Sequence, residues 1–249
     1  MVKPALLLLF VTASAFAQKA EFDAGLAAFH QGKYADAAQH FQRATQADPR
    51  SVTGRLYLGA AYGAQFIPGL NTPENQRFGA AAIESFSQVV AMEPNNEQAI
   101  GSIAALYYNQ GKWDEALDWN RKLLDIDPDT KQAWYTIGVI SITRFLPAQR
   151  EARIQSKMRP EDPGPIGDLT IRQALKIKYM PMLDEGITAL KRALEIDPEY
   201  DDAMSYMNLL LRYRADLLDT PAEYLTQTQL ADVWVRKSLA LKQKKSAPR

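Results

Sequence analysis

Four acidic–proline pairs punctuate the chain, at Asp48-Pro49, Glu93-Pro94, Asp127-Pro128 and Asp197-Pro198. Each closes a stretch of apolar sequence with helical period. Proline lacks a backbone N–H and its ring clashes with the preceding turn, so each pair reads as a helix stop. Shortly after each proline stands a residue suited to cap the next helix: Ser51, Asn96, Thr130 and Asp201. The prolines at 49, 94, 128 and 198 lie 45, 34 and 70 residues apart. A gap of about 34 residues is the length of one helix–turn–helix unit, and the two longer gaps read as such units carrying insertions. These stops predict an all-α chain built of successive helix pairs.

The residues between the stops recur in register. The clearest unit runs Ile103-Ala104, Tyr107, Gly111-Lys112-Trp113, Ala116, Leu123 and Pro128. The first has Ala24-Gly25, Ala28, Gly32-Lys33-Tyr34, Ala37, Phe41, Ala44 and Pro49. The second opens with Leu58-Gly59 and Tyr62 and closes with Ala82, Phe86 and Pro94. The fourth opens with Trp134 and Ile137-Gly138 and closes with Leu190, Ala193 and Pro198. The fifth begins with Met204, Met207-Asn208 and Leu211, so Asn208 stands where the others carry a small residue. Glycine and alanine at fixed places let two helices approach closely. Gly32 and Gly111 fall where a tight turn needs positive φ, and Phe41, Tyr62 and Tyr107 fill the space between units.

This pattern resembles the tetratricopeptide repeat, W-x-x-L-G-x-x-Y…A-x-x-x-F…P, over nearly all of residues 18–213. The resemblance implies a right-handed α-solenoid of stacked antiparallel helix pairs in one domain, 18–249, plus a C-terminal capping helix. About five units are expected, near 18–50, 51–95, 96–129, 130–199 and 200–245. One unit cannot bury its apolar face alone, so such a fold depends on stacking several.

Two insertions are expected, at about 63–72 and 146–181. After the first, Thr72-Pro73 reads as a cap followed by proline at the first helical position. The second holds Pro147, Pro160, Pro163, Gly164, Pro165 and Gly167, so its middle is predicted as loop, with helix resuming near Asp168 and kinked or broken at Pro181. It shows no repeat pattern, although its length leaves room for a degraded one. A loop this long is a candidate lid or occupant of a binding groove. Thr220-Pro221-Ala222-Glu223 is a capping box opening a last, solubilising helix. Its apolar side includes Leu230, Val233, Trp234 and Leu241. Lys242, Lys244 and Lys245 close it, where cations offset the helix dipole.

The first 17 residues read as a secretory leader: Lys3, an apolar stretch from Ala5 to Val11, and a small-residue end at Ala15-Phe16-Ala17. The apolar run is shorter than the roughly 20 residues that span a bilayer. The expected location is exported, periplasmic or secreted. The chain has no cysteine, which removes disulfides, thiolate metal sites and thiol nucleophiles. Its 29 basic residues balance 29 acidic ones, so no global field favours nucleic acid.

No catalytic or metal motif emerges. His30 and His40, ten residues apart, do not share a helical face at metal-ligand spacing. Gly32-Lys33 and Gly111-Lys112 lack the upstream glycine of a phosphate loop. Asp125-Ile126-Asp127-Pro128-Asp129 has Thr130 where a calcium loop needs glycine. The chain is therefore read as non-catalytic, with no cofactor and no metal.

In tetratricopeptide arrays the first helices line a concave groove that binds a protein or peptide. The resemblance places Phe22, Phe29, Tyr57, Tyr108, Asn109, Tyr135, Thr136, Tyr206, Arg212 and Tyr213 there. The Lys/Asn/Arg clamp that some members use for a C-terminal carboxylate is absent. A tyrosine-lined groove suits an extended, partly apolar segment. The expected function is a protein-interaction scaffold of the cell envelope. The alternatives are a carrier of a small apolar ligand or lipid, and an enzyme on a helical scaffold. Two structural readings stay open beside these: the aromatics pack among themselves, and Arg212 pairs with an acid of its own repeat.

Overall fold

Residues 18–246 are described by the structure, a computed structural model; the leader read at 1–17 lies outside them. Ten helices account for the described residues, with no strand among them. They are α1 (18–30), α2 (Tyr34–Ala47), α3 (Val52–Gly63), α4 (Pro73–Met92), α5 (Glu97–Asn109), α6 (Trp113–Ile126), α7 (Lys131–Gln155), α8 (Leu169–Ile196), α9 (Asp201–Ala215) and α10 (Pro221–Ser246). They follow one another as five pairs, and each acidic–proline stop separates one pair from the next.

The caps explain where the helices start. Ser51 accepts from the Gly54 N–H at 3.0 Å and Asn96 from the Ala99 N–H at 3.0 Å. Thr72 accepts from the Asn75 N–H at 3.2 Å, with Pro73 at the first helical position. Thr220 and Glu223 satisfy each other's backbone N–H groups at 3.2 and 2.9 Å, a complete capping box. Two expected caps differ. The Thr130 hydroxyl donates to Asp127 at 2.9 Å, because that carboxylate is a nearer and stronger acceptor. Asp201 lies one residue inside α9, where its charge offsets the helix dipole, and Tyr200 holds the cap position. Gly32 and Gly111 turn the chain at φ +73° and +71°.

The chain divides at Lys122/Leu123 into two compact units. In the first, α1 packs on α2 where a Cβ on Gly25 would lie 2.6 Å from the Phe41 ring. Likewise α3 packs on α4 where a Cβ on Gly59 would lie 2.8 Å from Phe86. Phe41 is wholly buried, a burial that contributes about 1.5–3 kcal/mol. Tyr62 packs against the clusters of both the first and the second pair. The expected first insertion is the loop between α3 and α4. Buried Asn75 shapes it, accepting from the Ile67 N–H at 2.7 Å and donating to the Ile67 and Leu70 carbonyls at 2.9 and 2.8 Å.

In the second unit α7 meets α8 where a Cβ on Gly138 would lie 2.4 Å from Leu190. The expected insertion over 146–181 is mostly helix, with loop only in its middle and no break at Pro181. Helix α7 continues through Pro147 to Gln155, and α8 continues through Pro181. Each proline forfeits one helical hydrogen bond, but both rings sit on exposed positions while their neighbours Phe145, Ala152 and Leu183 are buried. Packing of the lengthened helices outweighs the local loss. No further helix pair intervenes; the connection is only 156–168. Asp168 caps α8 at the expected place, accepting from the Ile171 N–H at 3.0 Å.

That connection is tied to its own unit. Ile166 donates its N–H to the Asp216 carbonyl at 2.9 Å. Arg153 is ion-paired to the Asp216 carboxylate at 3.0 Å, which also accepts from Gln149 at 2.6 Å. Buried Arg172 donates to the Ile166 carbonyl at 2.5 Å. The loop thus lies against the α9–α10 junction.

Candidate functional site

The residues expected to bind a partner fall into three groups. In the first unit Phe22 and Phe29 on α1 meet Tyr57 on α3. The Tyr57 ring stands edge-on to Phe22 at 5.5 Å and to Phe29 at 6.2 Å. It also leans on buried Phe41 at 5.4 Å. Phe22, Phe29 and Tyr57 are all half-buried. Their inner edges complete the core, and their outer edges remain available for contact.

Tyr108 and Asn109, at the end of α5, belong to a different feature. Tyr108 lies 5.5 Å from Trp113 across the Gly111 turn. Both line a cleft of about 890 Å³ walled by the 64–72 loop, α4 and the α5–α6 turn. Phe66 and Leu70 contribute apolar walls that the repeat pattern did not single out, and Trp113, which opens α6 in the repeat register, adds another. Gly79 makes room: a Cβ there would lie 2.8 Å from the Gln110 side-chain nitrogen and 3.1 Å from the Phe66 ring. The available signal was the apolar run Phe66-Ile67-Pro68-Gly69-Leu70 inside an insertion. Asn109 is exposed and Gln110 half-buried, and neither carboxamide has a partner among the described residues.

In the second unit Tyr135 on α7 gathers Tyr200 at 5.0 Å and Tyr206, edge-on, at 5.4 Å. Tyr200 was not expected there, because it belongs to the stop after α8 rather than to a first helix. Its hydroxyl donates to Gln132 at 2.8 Å. Lys131 lies 5.2 Å over its ring and 2.5 Å from Asp197. Burial, followed by the charge of Asp202, pushes the Tyr200 phenol up to about 12. Burial and the neighbouring Tyr206 and Asp202 raise Tyr135 further still. Both phenols therefore stay neutral and act as hydrogen-bonding groups, not as anions.

The other expected positions are engaged within the fold. The Thr136 hydroxyl donates to the Gln132 carbonyl at 2.8 Å. Arg212 is ion-paired to Asp232 of α10 and donates to Asn208 at 2.9 Å. It fastens α9 to α10, and Asn208 serves that polar contact in place of close packing at glycine. Tyr213 packs, half-buried, on the core of the second unit. His40 Nδ1 lies 2.7 Å from the Glu21 carboxylate, which accepts, and with Arg43 it holds that carboxyl below the usual range. Among the described residues no three His, Cys, Asp or Glu side chains are grouped to hold a metal ion.

Known proteins share this architecture. Two family models described as tetratricopeptide repeat match residues 18–51 and 77–138. Over 116 residues the chain is 28% identical to sperm-associated antigen 1 of Mus musculus. That match covers 47% of this chain and 12% of the mouse protein. Among solved structures, a crystal structure of MamA superposes with TM-score 0.60 at 16% identity, covering 92% of this chain and 94% of that one. MamA 41-end from Desulfovibrio magneticus RS-1 gives 0.63 at 14% identity, covering 93% and 98%. Identities this low bear on the fold alone. Five helix pairs separated by four acidic–proline turns, with glycines packed closely against Phe41, Phe86 and Leu190, and with tetratricopeptide-repeat models matching residues 18–51 and 77–138, give the chain a tetratricopeptide-repeat architecture.

Proposed function

We propose that the chain is a non-catalytic scaffold that recruits a partner protein through the aromatic faces of its first helices. A tetratricopeptide fold is an interaction scaffold. The observation that carries the finer reading is the placement of Phe22, Phe29 and Tyr57 in one unit and of Tyr135 and Tyr206 in the other, all half-buried. Large rigid rings with a wet edge give contact area at low entropic cost, which is why tyrosine dominates many binding surfaces. The neutral phenols add directional hydrogen bonds. The leader-like sequence of residues 1–17 supports export, so the partner is sought in the cell envelope or outside it. No helix among the described residues is long and apolar enough to cross a membrane.

The test is capture from native envelope extract by residues 18–249. The comparison is a triple variant, Phe29→Ala, Tyr135→Ala, Tyr206→Ala, whose circular dichroism must match the parent. The captured protein is then purified and its affinity for both baits measured. A loss of tenfold or more, about 1.4 kcal/mol, supports the reading. Equal affinity moves the binding surface off these faces.

A further inference from the structure

The cleft beside the 64–72 loop goes beyond the aromatic faces and shares only Tyr108 and Asn109 with the expected set. We infer that it is a second recognition site, for an uncharged extended peptide segment that places a large apolar side chain between Phe66 and Trp113.

Four features argue for this ligand. The walls are apolar and aromatic: Phe66, Leu70, Ile83, Tyr108 and Trp113. The lining carries one acid, Glu84, and one base, Lys112, so it offers a ligand no net field. Lys112 already lies 5.6 Å over the Tyr107 ring. That leaves recognition to shape, burial and neutral hydrogen bonds. The Asn109 and Gln110 carboxamides line the same space without partners among the described residues. Each offers a donor and an acceptor, matching the alternating N–H and C=O of an extended backbone.

The cleft's openness decides between a peptide and a small molecule. Its volume of about 890 Å³ falls in the range of ligand pockets, but those enclose most of a small ligand's surface. This cleft is open to solvent. Its apolar wall also reaches solvent, Leu70 being 44% exposed. A chain running out of the cleft across Leu70 covers that surface; a small molecule leaves it wet. The loop is a fixed wall, because Asn75, only 3% exposed, holds it through three hydrogen bonds.

The probe is a set of blocked, fluorescein-labelled hexapeptides with Phe, Leu, Ile, Val or Ser at two central positions between Gly and Ser. Binding to the full chain is followed by anisotropy. Peptides with central Phe or Leu should bind and the all-Ser peptide should not. Asn109→Ala and Leu70→Ser should each weaken binding about three- to tenfold, the scale of one hydrogen bond or one partly buried side chain. Tyr206→Ala should leave it unchanged, which separates this site from the aromatic faces. A benzoylphenylalanine at the central position should crosslink to residues 66–71 or 107–113. Failure of every peptide to bind, crosslinks elsewhere, undiminished binding by both cleft variants, or free indole binding as tightly as the best peptide would each overturn the inference. The last result would make the cleft a small-molecule site.

Discussion

A methyl group added at Gly138 would sit 2.4 Å from Leu190, which is wholly buried and has nowhere to go. Gly138→Ala is therefore expected to cost about 1–3 kcal/mol, read as a lower urea midpoint. Gly63→Ala is the control: its nearest neighbours are 4.0 Å away, and alanine's better helix propensity should stabilise by up to about 1 kcal/mol. Equal effects at both sites would mean that close helix approach is not what these glycines provide. Ala37, fully buried beneath α1, should respond to Ala37→Leu as Gly138 does to alanine, with a loss of about 1–3 kcal/mol. These small residues were legible in the sequence because the repeat period puts Gly25, Gly59 and Gly138 in one register. The residues that complete the sites were not. Phe66 and Tyr200 stand in a loop and at a stop, where no period assigns a facing direction. Asn208 read as a defect because a polar contact replaced the expected packing, through Arg212 and Asp232.

At the scale of elements, helix starts and turns followed from local chemistry, whereas the lengths of α7 and α8 did not. Proline reads as a stop when only the backbone is considered. In α7 and α8 it is overruled by contacts distant in sequence, such as Phe145 against Tyr179 at 5.2 Å. The lengthened pair is fastened to the 156–168 loop and the end of α9 by the buried Arg153–Asp216 pair, whose side chains are 11% and 5% exposed. Arg153→Met leaves the Asp216 charge buried without its counter-ion, and should cost about 3–5 kcal/mol at neutral pH. Asp216→Asn keeps an acceptor for Gln149 without a buried charge and should cost less; thermal melts of the two variants rank them. Burial outweighs Gln149 and Arg153 and raises the Asp216 carboxyl above its ordinary 3.8. The folded state thus binds this proton more tightly than the unfolded chain does. The stability it contributes is present below the ordinary value and is lost as pH rises through the raised one. Carboxylates held low by partners, half-buried Asp197 beside Lys131 and exposed Asp219 beside Lys176, have the opposite slope. The difference between parent and Asp216→Asn isolates the buried group. From acid upward, the parent should lose stability relative to the variant, and a difference independent of pH would refute the assignment.

For the whole molecule, the two units each bury their own core. Each also presents half-buried rings from first helices, while second helices supply Phe41, Phe86 and Leu190 to the interior. The outer face of α10 is less polar than a solubilising cap requires, with Leu225, Leu230 and Leu239 each more than half exposed. First helices are thus assigned to binding and second helices to the interior, and hydrogen exchange with and without the captured partner separates the two roles. Slowed exchange on binding is expected in α1, α3, α5, α7 or α9. Slowed exchange confined to α2, α4, α6, α8 and α10 would contradict that assignment.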